Sequence, residues 1–406
     1  MTADPRSAPP HSADIFKKCF DFRDADVVKE AGLYPYFRTI SSAQDPVVTM
    51  DGREVIMLGS NNYLGLTNHP EVKEAARAAI AKYGTGCAGS RFLNGTLDIH
   101  EQLEEKLAEF MHKPSALTFS TGFQVNLGAI SALVERGDVV YLDKLDHACI
   151  IDGARLGFGT VLKFDHNDMA DLAKRLELRD RSKPAMIVVD GVFSMEGDIV
   201  ALPRLVELAN EHGCRVMVDD AHGVGVLGEH GRGTAEHFGV EDRVDLIMGT
   251  FSKSLASVGG FIAGAERVID FIKHHARSLI FSAAPPPASV ASVLKAVEII
   301  EREPERRARL WENTRFMAEG LRGLGFDTGD SQTPVIPVVV GEDRVAFFLS
   351  RRLQEEGVFV NPVVAPAVPP GRALLRTSYM ATHSREQLER ALVAFAKVGR
   401  EVGLIQ

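Results

Sequence analysis

The stretch that decides the fold is Asp245–Gly260, DLIMGTFSKSLASVGG. Its first four residues have the apolar pattern of a short buried strand, which we expect to end at Gly249. Thr250 and Ser252 then bring two hydroxyls close to Lys253. Because burial disfavours the charged form of a lysine, an amine just past a buried strand is a stronger nucleophile than a surface ammonium. The pattern favours a lysine that binds an aldehyde cofactor such as pyridoxal phosphate, although a lone lysine is more often a loop residue reaching into solvent.

The sequence around this stretch alternates short apolar runs with helical patterns. Such alternation indicates an α/β fold with a mainly parallel sheet covered by helices on both faces. In these sheets ligands bind beyond the carboxyl ends of the strands. The predicted strands number seven and cover residues 116–119, 139–142, 161–164, 186–189, 215–218, 245–248 and 261–263.

Three regions follow from the same pattern. Residues 1–45 comprise a loose tail over 1–14 and an arm helix over 16–32. Residues 46–285 form the large catalytic domain, which opens with a hairpin over 47–58 that turns at Asp51 and Gly52. Residues 286–406 form a smaller α+β domain, connected by one long helix over 288–326. Asn68 is expected to cap the helix that follows the hairpin.

Composition excludes several classes of protein. The net charge of −9 argues against nucleic-acid binding. The four cysteines lack metal-ligand or disulfide-framework spacing, so we expect reduced thiols, no metal site and a cytoplasmic location. No apolar run approaches the roughly 20 residues of a membrane helix, and the start of the chain lacks a signal-peptide core. A peripheral membrane contact stays open.

Two glycine-rich stretches match G-x-G-x-x-G literally, at residues 84–89 and 223–228. A dinucleotide fingerprint follows a strand and opens a helix. The first stretch follows a helix instead, and the second leads into EHGRG rather than an amphipathic helix. A nicotinamide dehydrogenase is therefore disfavoured.

Polar residues cluster where the predicted strands end. Asp190, Asp219 and His222 follow two of them, and His147 follows a third. Each has an ordinary explanation, such as helix capping or a satisfied loop histidine. Together with Lys253 they form one chemical arrangement, in which a carboxylate keeps a pyridine nitrogen protonated and a histidine stacks on the ring. The lysine supplies the amine and later acts as a base.

Seven ordered motifs resemble the α-oxoamine synthases, which are fold-type I pyridoxal-phosphate enzymes. The resemblance covers about residue 30 to residue 403, and the motifs are GSNNYLGL, GTGCAGSRFLNGT, FSTGFQVN, LDHACIIDG, DGVFSMEGDIV, VMVDDAHGVGVLG and GTFSKSLASVGG. Within this family, GSRFLNGT is most similar to serine palmitoyltransferases.

The resemblance implies roles for residues around the cofactor ring. Lys253 forms the internal aldimine, and Asp219 pairs with the pyridinium nitrogen. His147 stacks on the ring face, while His222 and Ser194 contact the phenolic oxygen of the ring.

It also implies the residues at the cofactor phosphate. Gly122 and Phe123 lie at the cofactor, and Thr250 and Ser252 lie near its phosphate. Ser282 matches a position that reaches the phosphate from the neighbouring subunit. The resemblance thus implies a homodimer with shared active sites.

The substrate residues implied are Asn62 and Tyr63, in the cross-subunit region, and Arg376, which clamps the amino-acid carboxylate with its planar fork. One position departs from the pattern of serine palmitoyltransferases. Where they carry an arginine before a Pro-rich turn, this sequence has Val364 in NPVVAPAVPPG. The departure puts more of the carboxylate binding on Arg376 and weakens the assignment of the amino acid.

The resemblance implies a decarboxylative Claisen condensation of an amino acid with an acyl-CoA. With L-serine and palmitoyl-CoA the product is 3-ketosphinganine, which begins sphingolipid synthesis. The alternative within the family is glycine or alanine with a different thioester, as in glycine C-acetyltransferase or 8-amino-7-oxononanoate synthase. A catalytically dead subunit of a heterodimer is disfavoured, because Lys253, Asp219 and His147 are all present.

Overall fold

The structure is a computed structural model that describes residues 14–406. The predicted tail therefore lies almost wholly outside the described part. The predicted arm helix is two short helices, α1 (Lys17–Asp21) and α2 (Asp24–Glu30). The chain separates them because Phe22 is extended, with φ −68° and ψ 115°.

The predicted hairpin is present as β1 (Val47–Met50) and β2 (Arg53–Met57). Asp51 and Gly52 form its turn with positive φ values of 52° and 75°, as the tight two-residue turn requires. The other edge of β2 pairs in parallel with residues Val358–Phe359, about 300 residues further along the chain.

Two helices follow, α3 (Pro70–Tyr83) and α4 (Asp98–Phe110). The expected cap of α3 is wrong, because the N-cap is His69, and its side chain makes no capping hydrogen bond. The amide of Asn68 instead donates to Asp45 Oδ2 at 2.8 Å.

The central sheet has seven strands, as predicted, in the order β3-β9-β8-β7-β6-β4-β5. Only β9 runs antiparallel to its neighbours, and the remaining pairs are parallel. The strands are β3 (Ser115–Phe119), β4 (Val139–Asp143), β5 (Thr160–Phe164), β6 (Ala185–Asp190), β7 (Arg215–Asp219), β8 (Leu246–Thr250) and β9 (Gly260–Gly264).

Strand β8 is longer than predicted. It continues through Gly249 and Thr250, which pair with Phe261 and Gly260 of β9. Gly249 allows this pairing because a Cβ there would lie 2.3 Å from the Phe261 ring. The longer strand places Lys253 just past the edge of the sheet.

Helices cover both faces of the sheet and form two apolar cores. The helices between and after these strands are α5 (Gly122–Leu133), α6 (Ala148–Leu156), α7 (Met169–Glu177), α8 (Leu202–His212), α9 (Thr234–His237), α10 (Glu266–His275) and α11 (Arg277–Ile280). One core buries α5, α6 and α10, and the other buries α4, α7 and α8.

The predicted long connector is two helices, α12 (Pro287–Arg302) and α13 (Pro304–Gly323). Pro304 cannot continue α12, since it lacks a backbone N–H, and it starts α13 instead. The smaller domain then adds β10 (Val335–Gly341), α14 (Asp343–Glu355), β11 (Val358–Phe359), β12 (Asn361–Val363), β13 (Ala373–Ser378) and α15 (Arg385–Glu401). Its two sheets have the orders β10-β13-β12 and β1-β2-β11.

The packing suggests domain limits that differ from 46–285 and 286–406. The apolar side chains of α12 lie in the large core, whereas Ile56 of the hairpin lies in the core of the smaller domain. We therefore propose that the hairpin belongs to the smaller domain and α12 to the larger one. Within residues 14–406 no helix is both long enough and apolar enough to cross a bilayer.

Candidate active site

A cavity of about 340 Å³ lies beyond the carboxyl ends of β4, β6, β7 and β8. It is lined by nine of the residues predicted from the sequence, namely Gly122, Phe123, His147, Ser194, Asp219, His222, Thr250, Ser252 and Lys253. A larger cavity of about 470 Å³ beside the smaller domain contains none of the predicted residues. The smaller cavity is therefore the candidate active site.

Lys253 lies on the loop that follows β8, and its side chain lines the cavity. Burial lowers the pKa of this amine from its ordinary 10.5 to about 8, against the opposing effect of the nearby Asp219 carboxylate. A much larger fraction of the neutral, nucleophilic amine is present near neutral pH than for a surface lysine.

Asp219 is the last residue of β7 and is buried. Its Oδ1 accepts a hydrogen bond from the Ala221 backbone N–H at 3.0 Å, and its Oδ2 accepts one from the Asn126 amide at 2.6 Å. These two donors fix the orientation of the carboxyl group. The arrangement places a carboxylate in the floor of the cavity.

Asp190 stands next to Asp219 in register at the end of β6. Burial, together with the charges of Asp219 and Asp146, raises the pKa of Asp190 well above its ordinary range. Its Oδ2 accepts a hydrogen bond from the His147 backbone N–H at 2.7 Å. Asp190 thus fixes the backbone of a predicted site residue, a role that the sequence did not indicate.

His147 caps the N-terminus of α6, where its Nδ1 accepts a hydrogen bond from the Cys149 backbone N–H at 3.3 Å. Burial lowers the pKa of this imidazole, with Asp219 opposing and Lys253 assisting. The ring therefore enters the cavity as a neutral group, and its edge meets the ring of Phe123 at a centroid distance of 6.4 Å.

His222 is buried on the loop after β7, and its Nδ1 lies 2.7 Å from the Tyr63 hydroxyl. Burial and the positive charges of Lys253 and Arg376 hold the pKa of His222 well below its ordinary value. Tyr63 thus contacts His222 of its own chain, and the cross-subunit role expected for it stays a prediction. Asn62 is buried beside it, and its Oδ1 accepts from the Thr67 N–H at 3.3 Å.

The first turn of α5 closes one end of the cavity. A Cβ on Gly122 would lie 2.7 Å from Thr250 Oγ1, so only glycine leaves room where the helix meets the strand. Thr121 caps α5 and accepts from the Gln124 N–H. The unpaired N–H groups at a helix N-terminus, beside the hydroxyls of Thr250 and Ser252, suit a phosphate group.

Ser282 does not line this cavity in the single chain. Its hydroxyl accepts a hydrogen bond from the Gln124 side-chain amide at 3.1 Å, next to the first turn of α5. The role expected for it at the phosphate of a neighbouring subunit stays a prediction.

Arg376 lies on β13 and reaches the site from the smaller domain. Its Nε donates to the Ser194 backbone oxygen at 2.6 Å, and its Nη2 is buried without a hydrogen-bond partner. An unpaired buried guanidinium donor suits an anionic ligand such as a carboxylate. Val364, at the position where an arginine was expected, packs instead against the core of the smaller domain.

Sequence reasoning missed two buried residues that contact the predicted ones. Asn126 donates to Asp219, and the sulfur of Cys149 lies 2.8 Å from His147 Nδ1. The one available signal was Asn126 itself, because an asparagine stands out in the apolar helix sequence GFQVNLGAISAL.

Comparisons with known proteins identify the family of this chain. The family model described as aminotransferase class I and II matches residues 53–395. A serine palmitoyltransferase from Sphingobacterium spiritivorum is 54% identical over 380 residues, which cover 94% of this chain and 95% of the relative. An 8-amino-7-oxononanoate synthase from Symbiobacterium thermophilum is 50% identical, covering 93% and 97%.

Among solved structures, a variant serine palmitoyltransferase from S. paucimobilis, with a bound PLP–myriocin aldimine, superimposes with a TM-score of 0.94. It is 36% identical, and the match covers 97% of this chain and 100% of that chain.

Proposed function

We propose that this chain condenses L-serine with palmitoyl-CoA, because it belongs to the aminotransferase class I and II family and, within that family, to the α-oxoamine synthases. The enzyme is a pyridoxal-phosphate-dependent acyltransferase. The proposed products are 3-ketosphinganine, CoA and carbon dioxide, in the first step of sphingolipid synthesis. The observation that carries the proposal is the convergence of Lys253, Asp219 and His147 in one cavity of a chain 54% identical to a serine palmitoyltransferase.

The residues of the cavity fit the cofactor. The free N–H groups of α5 and the hydroxyls beside Gly122 suit its phosphate, and the Asp219 carboxylate suits a protonated ring nitrogen. When bound, pyridoxal 5′-phosphate supplies an aldehyde that combines with amines and a ring that accepts electrons from the adjacent carbon.

The side chains then perform the steps that the protein controls. Lys253 would hold the cofactor until the amino group of the substrate takes its place, and the freed amine would then remove the α-proton. Arg376 binds the substrate carboxylate with its unpaired Nη2, assisted by His147. The α-carbon would form a bond with the acyl carbon of the thioester as the C–S bond breaks, and CoA would leave as a thiolate that takes up a proton. After the carboxylate has left as carbon dioxide, Lys253 would return a proton to the α-carbon.

The second candidate is a condensation of glycine or alanine with a different acyl thioester. The 50% identity to an 8-amino-7-oxononanoate synthase favours it, as does the valine at position 364. A matrix of amino acids against acyl-CoA chain lengths, read by release of free thiol, separates the two. Our proposal requires the highest kcat/KM for serine with long chains, and a maximum for alanine would refute it.

We also propose a homodimer that shares its active sites. Phe281 and Leu93 are 75% and 77% exposed on loops beside Ser282, and the bridge between Ser90 and Ala283 joins those loops. A second subunit would cover these apolar side chains.

The four cysteines are free, which supports a cytoplasmic location.

The cofactor assignment has a direct test. Borohydride reduction of the enzyme with bound cofactor, followed by peptide mapping, is expected to find the label on Lys253. A label on another lysine would overturn the assignment of this site.

A further inference from the structure

Asn126 is a fully buried asparagine on α5, one turn beyond Gly122. The two hydrogens of its amide serve two acceptors, Asp219 Oδ2 at 2.6 Å and Cys149 Sγ at 3.0 Å. Its own Oδ1 is buried without a partner. Leaving a buried acceptor unpaired costs free energy, so an opposing interaction must hold the amide in this orientation.

That interaction is with Asp219. Turning the amide around would place its oxygen against the carboxylate, and two acceptors would then face each other in a buried site. Asn126 therefore keeps a donor on Asp219 Oδ2 at the expense of its own oxygen. Since the Ala221 N–H holds Oδ1 at 3.0 Å, the carboxylate is fixed at both of its oxygens.

Cys149 extends the network to His147. Its sulfur accepts from Asn126 and lies 2.8 Å from His147 Nδ1, which also accepts from the Cys149 backbone N–H. The backbone N–H donates to Nδ1, and the S–H, whose other acceptor is Asp219 Oδ2 at the longer distance of 3.9 Å, can donate there too. The proton of the neutral ring therefore belongs on Nε2. The contacts of Cys149 with Nδ1 thus set the tautomer of the His147 ring.

We propose that Asn126 and Cys149 form one positioning network that keeps Asp219 a hydrogen-bonded carboxylate and His147 in its Nε2-protonated tautomer. The inference deepens the proposed function and depends on its assignment of Asp219 to the pyridine nitrogen. It assigns to both residues a positioning role, which they exert through Asp219 and His147.

The network predicts distinct effects for its two members. Replacing Asn126 removes a charge-assisted donor, so the affinity of the apoenzyme for pyridoxal phosphate should fall by about tenfold to hundredfold. Replacing Cys149 with alanine should weaken the tautomer preference of His147 and raise KM for the amino acid more than it lowers kcat. Cys149→Ser restores a donor and should recover both the tautomer preference of His147 and the wild-type KM.

The test uses Asn126→Leu, which replaces the amide with an apolar group of the same branching, and Asn126→Ala, in case the larger leucine does not fit. Ser131→Ala is the matched control, since it removes a polar group from the same helix away from Asp219. The readouts are the dissociation constant of pyridoxal phosphate and the ¹⁵N chemical shift of its labelled ring nitrogen. For the Cys149 variants the readout is the ¹⁵N spectrum of histidine-labelled apoenzyme.

We expect the ring nitrogen to lose its proton more readily in both Asn126 variants and not in the control. Full protonation and unchanged affinity in a folded Asn126 variant would overturn the inference. So would an unchanged His147 spectrum in Cys149→Ala. If the wild-type protein itself fails to bind the cofactor or to protonate its ring nitrogen, the proposed function fails instead.

Discussion

Replacing Lys253 with methionine should stabilise the apoenzyme while abolishing its activity. Folding lowers the pKa of this amine from 10.5 to about 8, and each pKa unit corresponds to about 1.4 kcal/mol. The charged lysine therefore costs the folded apoenzyme roughly 3 kcal/mol near pH 7. Methionine has a similar shape without the charge, so Lys253→Met should recover an amount of that order.

The gain must depend on pH with a definite sign. Between pH 8 and 10.5 the unfolded lysine holds a proton that the folded one has released, so the wild-type protein gains stability as pH rises. The advantage of Lys253→Met should be full below about pH 8 and should fade above it. Urea unfolding of both apoenzymes at pH 7, 8, 9 and 9.5 measures this, with the exposed Lys174→Met as control. Equal stabilities at pH 7, or a gain that does not change with pH, would refute the reasoning.

Three further variants test two other residues of the site and one ion-paired histidine outside it. Arg376→Lys should raise KM for the amino acid by about tenfold to hundredfold, because an ammonium cannot replace the planar set of N–H donors of the guanidinium. Steady-state kinetics measure this KM, and an unchanged value would contradict the assignment. Gly122→Ala should weaken cofactor binding, because its Cβ would lie 2.7 Å from the Thr250 hydroxyl. The control Gly86→Ala, whose Cβ would meet nothing within 4 Å, should leave cofactor affinity unchanged. Absorbance titration with the cofactor compares the two variants, and equal affinities would count against the tight contact at Gly122. Burial alone would lower the pKa of His166, but the two carboxylates paired with it raise that pKa to about 10. The stability that His166 contributes is therefore complete below pH 6.5 and is lost as pH rises through 10. His166→Gln should destabilise the protein by about 3 kcal/mol at pH 6 and by less at pH 9.5 in urea unfolding, and a constant difference would exclude the ion pairs as its cause.

The sheet and its ligand-binding edge could be predicted because both depend on local patterns. Buried parallel strands read as short apolar runs, and the polar residues that follow them must meet at one edge. Lys253, Asp219 and His147 could be placed together on that basis alone. The exact end of β8 could not, because Gly249 stays in the sheet through a contact with Phe261 that is distant in sequence.

Other contacts of the site could not be predicted for the same reason. Tyr63 contacts His222, which is 159 residues away in the chain, and Asn126 contacts Asp219 across 93 residues. No local pattern reports such contacts. The break between α12 and α13, by contrast, could have been predicted, because Pro304 stands inside the helical pattern.

The pairing of β2 with β11 has a consequence for how the protein is made. Ile56 leaves the ribosome early, but its strand partner, Val358, is about 300 residues behind. At about 5–20 residues per second, the hairpin waits on the order of 15–60 s with an unpaired edge. During translation the nascent chain must therefore keep this edge from other partners until the C-terminal strands arrive.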